Sequence, residues 1–104
     1  MKLLTEEIKN TIPKLYATEK VPPSDKVIHA KYFTPWGSWT WYATEFDGTD
    51  TFFGYVKGDH PEWGYFSLNE MESVKGPFGL TIERDIYFDP IKVSECSELN
   101  WEDV

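Results

Sequence analysis

The sequence predicts an α+β fold: a mainly antiparallel sheet of four to five strands, with an N-terminal helix and a second short helix. Three observations carry this expectation. Residues 27–67 hold four runs rich in β-branched and aromatic residues, separated by turn signals. An apolar stripe at helical spacing precedes them, and a serine–glutamate capping pattern follows them. Aromatic residues make up 17% of the 104, enough to furnish one core in a chain of this length. Residues 1–93 are expected to form a single α+β domain, and residues 94–104 an acidic C-terminal tail.

In the first helix Thr5 is the expected N-cap, with Glu6 and Glu7 at the positive end of the dipole. Leu4, Ile8, Ile12 and Leu15 line one face, and Pro13 should end the helix at Thr11–Ile12. A polar loop over residues 18–26 leads to a first strand at 27–33 (VIHAKYF). Thr34-Pro35-Trp36-Gly37 reads as a turn, and 38–46 (SWTWYATEF) as the second strand. Asp47-Gly48 is a hairpin signal of the type in which both central residues take positive φ, and 51–57 (TFFGYVK) returns as the third strand. A turn at 58–61 precedes a short fourth strand at 63–67. Ser67 and Glu70 form a capping box for a helix over 68–75, with Gly76 as a left-handed cap and Pro77 as a stop. Residues 82–88 and 91–93 are further extended candidates. The tail is expected to be loose, with Leu99 and Trp101 as docking points.

Strict alternation places Trp39, Trp41 and Ala43 on one face of the second strand, and Thr40, Tyr42, Thr44 and Phe46 on the other. Both faces of the hairpin thus carry rings. Either the hairpin is buried on both sides or one aromatic face is left for a partner.

The formal net charge is −8, from 10 basic and 18 acidic residues. A nucleic-acid binder needs a positive field, so direct nucleic-acid binding is not expected. No apolar run approaches the ~20 residues of a membrane helix, and the opening residues turn acidic rather than reading as an export signal. A single cysteine, Cys96, suits a reducing compartment, and a cytoplasmic location is expected.

Sequence support for chemistry is thin. His29 and His60 lie 31 positions apart with no cysteine pair, which matches no zinc spacing, so no metal or other cofactor is expected. Cys96 lies among carboxylates, a setting that does not activate a thiol. Glu83 and Asp85 fall on one face of an extended run, with Arg84 on the other, so a small hydrolase using this pair is an alternative. A solvated or salt-bridged strand explains the same run.

The runs WTWYATEFDGTDTFFGYV (39–56) and GYFSLNEMESVKGPFGLTIERDIYF (64–88), with the opening KLLTEEIKNTIPKLYATE (2–19), resemble the family called domain of unknown function 2958. The resemblance covers residues 2 to about 93. It implies a small single-domain protein carried by bacterial plasmids, conjugative elements and phages, and it implies no activity and no site residues.

The function expected from all this is protein binding without catalysis. Rings supply anchors and carboxylates steer a basic partner, acting against host defence or in element maintenance through an acidic, nucleic-acid-like surface. Trp36, Trp39 and Trp41 are the expected anchors, and Asp47, Asp50 and Asp59 the expected acidic rim. The partner is another protein with a basic surface, or a second copy of the chain. A small-molecule or peptide binder using the aromatic face is the alternative.

Overall fold

The computed structural model describes residues 1–100. Helix α1 (Glu6–Thr11) is capped by Thr5, whose hydroxyl accepts from the Ile8 amide at 3.1 Å. It stops where expected, with Ile12 already extended ahead of Pro13. Strands β1 (Val27–Ile28), β2 (Ala30–Phe33), β3 (Thr40–Phe46), β4 (Thr51–Lys57) and β5 (Pro61–Ser67) follow. Helix α2 (Leu68–Ser73), β6 (Glu83–Arg84) and β7 (Ile91–Lys92) complete the α+β architecture. The main sheet is antiparallel in the order β5-β4-β3-β2-β6, and β1 pairs with β7 in a small second sheet.

Several expected elements change shape for identifiable reasons. The run 27–33 is split at His29, whose amide donates to the Ala43 carbonyl at 2.8 Å, while β1 leaves to pair with β7. The loop at 47–50 is longer than a two-residue turn. Gly48 has φ +90°, but Asp47 does not take positive φ. Instead the Asp47 carboxylate accepts from the amides of Thr49, Asp50 and Thr51, a side chain standing in for a turn carbonyl. These amides, Asp50's first, hold the Asp47 carboxyl below its usual range.

Ser67 does cap α2, accepting from the Glu70 amide at 3.1 Å. Its hydroxyl donates to Asp50, which also accepts from the Asn69 amide, so two side chains share the cap. The helix ends at Ser73, and Gly76 has φ −90° rather than a left-handed conformation. Within the run 82–88 only Glu83 and Arg84 join the sheet, because Asp85 starts a turn that accepts the Tyr87 amide on its carboxylate.

The largest departure is in β3. Ala43 pairs with Gly54 and Glu45 with Phe53, so Thr44 is an extra residue, a β-bulge. The bulge reverses the alternation beyond it. Phe46 now falls on the Trp41–Ala43 face, in the same core as Phe52 and Tyr32. Glu45 falls on the opposite face with Phe53. Burying a phenylalanine there instead of a carboxylate stabilises by about 1.5–3 kcal/mol from the apolar area alone. Gly54 makes the bulge sterically feasible: a Cβ there would collide with the Tyr42 carbonyl oxygen and sit 3.1 Å from the Ala43 Cα.

Each face of the sheet has its own core. On one side Leu3, Ile12, Leu68, Met71 and Ile82 cover Ala30, Tyr32, Ala43, Phe46 and Phe52. On the other, Ile28, Tyr42 and Tyr55 meet Val93, Cys96 and Leu99. The expected loose tail is therefore corrected in its first half. Val93, Cys96 and Leu99 are buried, and Glu98 pairs with Lys31 and accepts from the Tyr42 hydroxyl at 3.0 Å. Burial, then the Glu98 charge, pushes the Tyr42 pKa up. Trp101, the other expected docking point, lies outside the described residues.

Because the obstacle at Gly54 is backbone, Gly54→Ala should destabilise the protein by about 2 kcal/mol or more, beyond the usual cost of an unfavourable strand substitution. A urea melt would show the midpoint falling. A midpoint within error of the parent would mean that the β3–β4 approach is looser than described.

Candidate functional site

The hairpin leaves the Trp41 end of its helix-side face partly uncovered. The β2–β3 turn delivers Trp36, β3 delivers Trp41, and Trp39 stands just before β3. Thr34 holds this turn: its hydroxyl accepts from the Trp39 amide at 3.2 Å, and its carbonyl accepts from the Gly37 amide. The indoles of Trp39 and Trp41 lie 5.8 Å apart, inclined at 35°. With Phe66, Met71, Val74 and Ile82, the three tryptophans line an open groove of about 410 Å³.

Two glycines place two of the indoles. A Cβ on Gly76 would sit 2.5 Å from the Trp36 ring, and one on Gly58 would sit 2.5 Å from the Trp39 ring. Each ring rests on bare backbone. Trp39 stays 40% exposed, while Trp36 and Trp41 are half-buried against the core. Exposed Val74 and buried Met71 form the wall contributed by α2 and the residue after it.

The groove offers few polar groups. Thr34 and Ser67 already spend their hydroxyls on local hydrogen bonds. Glu70, exposed on α2, is its charged lining residue.

The structure thus brings Trp36, Trp39 and Trp41 together, and it does not assemble the expected rim. Asp47 and Asp50 lie at one end of β4 and Asp59 at the other, about 23 Å apart along a seven-residue strand. Asp50 caps α2 and Asp47 ties its own loop, so only Asp59, exposed in the β4–β5 turn, is a simple surface charge. Sequence reasoning overlooked Gly58, Gly76, Phe66 and Ile82 as groove residues. The two glycines were read as turn and cap residues, and no local pattern marks a glycine as a seat for a distant ring.

The Glu83–Asp85 pair does not form a site with two free carboxylates. Asp85 lies 3.6 Å from the Lys31 ammonium, and Arg84 donates from Nε to the Lys2 carbonyl at 3.2 Å. These bonds fasten β6 and the N-terminal residues to the sheet. His29 is half-buried with its Nδ1 unpartnered, and burial lowers its pKa. His60 is exposed in its turn. Among the described residues no group of three or more His, Cys, Asp or Glu is placed to hold a metal ion. No helix there is long and apolar enough to cross a membrane.

The family model for proteins of unknown function DUF2958 matches residues 3–98. The chain belongs to the DUF2958 family. The match runs past Val93 to Glu98, in agreement with the packing of that segment in this DUF2958 protein. Searches of curated proteins and of solved structures found no match.

If the rings depend on their glycine seats, Gly76→Ala should displace the Trp36 indole while leaving the sheet intact. The tryptophan emission should shift to longer wavelength with an unchanged far-UV circular dichroism spectrum. An unchanged emission spectrum would mean that Trp36 does not rest on Gly76.

Proposed function

We propose that this DUF2958 protein is a non-enzymatic binding module that takes one or two apolar side chains of a partner protein into the tryptophan groove. The observation that carries this reading is the placement of Trp36 and Trp39 on glycine backbone beside Trp41 and Met71. Rings held in place before binding lose little freedom on association, and tryptophans in apolar grooves are the usual anchors of protein interfaces. A specific polar ligand is less well served, because such sites carry several convergent polar groups and here the lining hydroxyls are already engaged.

The net charge of −8 favours a partner with a basic surface and speeds its approach. Imitation of nucleic acid by a carboxylate array has less support, since Asp47 and Asp50 turn their oxygens onto backbone amides. In the setting implied by the family resemblance, a bacterial plasmid, conjugative element or phage, the partner would be a host defence protein or one encoded by the element.

Affinity capture from the native host, washed across a salt series, tests this. Trp39→Ala should reduce recovery of the partner about tenfold or more at every salt concentration. Charge reversal of the exposed Asp59 and Glu70 should reduce it mainly at low salt, where screening is weak. A folded Trp39→Ala protein with unchanged capture would overturn the assignment of the groove.

A further inference from the structure

The two edges of the main sheet differ. The β6 edge is two residues long, and its Arg84 amide is taken by the Met1 sulfur. The β5 edge is seven residues long and pairs with β4 in unbroken register, with no bulge. Leu68 donates its amide to the Asp50 carbonyl, so within the same register Phe66, Gly64 and Glu62 carry the hydrogen bonds to β4. The backbone groups of Trp63 and Tyr65 therefore point away from the sheet, and no described residue bonds to them. Sheet edges are commonly protected by lysine, internal proline, a bulge or a covering element. On β5 there is no lysine, and Pro61, which lacks an outward amide, blunts the edge only at its first position.

We propose that the β5 edge receives an extended basic segment of another protein as a sixth strand. Charge selects this occupant. Glu62 is the charged residue of β5, Asp59 adjoins it, and the chain carries −8 overall. Beside the edge, a hollow of about 310 Å³ is lined by Tyr16, Glu19, Phe53 and Tyr65, with Glu45 and Lys26 at its base. Tyr16 and Tyr65 are both more than half exposed there. The Lys26 ammonium already lies over the Phe53 ring, so the residue opposite Tyr65 on an added strand would place a lysine or arginine against the exposed Tyr16 and Tyr65 rings and the Glu19 carboxylate, an arrangement that favours cations. The residue opposite Glu62 would again be basic. Opposite Gly64, where nothing lies within 4 Å of the missing Cβ, a large apolar side chain has room. Phe66 and Ser67 of β5 also line the tryptophan groove, but the outward backbone of Trp63 and Tyr65 and the hollow beside Tyr65 do not, so either can fail without the other.

Amide hydrogen exchange with a blocked peptide of about seven residues, the length of β5, with arginine at the positions opposite Tyr65 and Glu62 and valine elsewhere, tests the proposal. In dilute free protein the Trp63 and Tyr65 amides should exchange fast, and those of Gly64 and Phe66 slowly. The peptide should slow Trp63 and Tyr65 by about tenfold or more, and a glutamate–valine peptide should not. Tyr65→Pro removes the ring and the outward amide and should abolish binding, whereas Tyr65→Thr removes only the ring and should weaken binding while the peptide still protects the Trp63 amide. Trp39→Ala should have no effect. Slow exchange of Trp63 and Tyr65 in dilute free protein, or no protection by the arginine peptide, would overturn the proposal. So would protection that rises with protein concentration alone, which would make a second copy the occupant. Exchange in the parent protein decides the matter even where Tyr65→Pro fails to fold.

Discussion

One extra residue in β3 governs what each face of the sheet can do. Thr44 is bulged out of the ladder and its hydroxyl donates to the Phe53 carbonyl. The reversal that follows sends Phe46 into the helix-side core and Glu45 to the opposite face. There the Glu45 side chain, only 3% exposed, accepts from the amides of Tyr16 and Thr18 and from the Thr18 hydroxyl. A buried carboxylate is tolerable only when its lone pairs are met, and here the loop after α1 meets them. Tyr16 takes φ +69° to do so, a conformation that costs a non-glycine residue about 1–2 kcal/mol. Lys26, itself buried, closes the arrangement by donating to the Thr18 carbonyl at 2.6 Å. At the same point the Phe46 amide donates to the Pro13 carbonyl, so α1 and its loop are fastened to the end of β3 from both sides.

The two faces then diverge in character. Once Phe46 and Phe52 fill the core under α1 and α2, the tryptophans at the other end of the same face are left with cover from only one side. Trp36 and Trp39 are held by backbone instead, each ring against a glycine. That division gives the domain a packed centre and a half-open aromatic end. The opposite face is closed by the segment from Val93 to Leu99, where Glu98 joins Lys31 to Tyr42.

Elements set by neighbouring residues were legible in the sequence. The Thr5 and Ser67 hydroxyls cap their helices by accepting from backbone amides three residues on, and Pro13 ends α1, as local rules require. The pairing of β3 with β4 around Gly48 was equally local. The bulge was not legible, because Ala43-Thr44-Glu45 fits an alternating strand as well as a bulged one. Its one trace in sequence is Gly54 inside an otherwise aromatic strand, and that glycine has meaning only beside Tyr42. The same holds for the site. The three tryptophans were identifiable by type and spacing. The glycines beneath two of them, and the withdrawal of Asp50 into a helix cap, depend on contacts between elements distant in sequence. The tail was legible only in part: Leu99 docks as expected, but the carboxylates dominate the composition and hid the packing of Cys96.

The reversal of β3 at Thr44 is most directly tested by nuclear Overhauser spectroscopy of the isotope-labelled protein. The Phe46 ring should show strong contacts to the Phe52 ring, 4.4 Å away between centroids, and the amides of Tyr16 and Thr18 should be shifted downfield by the Glu45 carboxylate. Contacts from Phe46 to the Tyr42 and Tyr55 side of the sheet, with Glu45 facing Phe52, would show an unbulged strand and contradict the account.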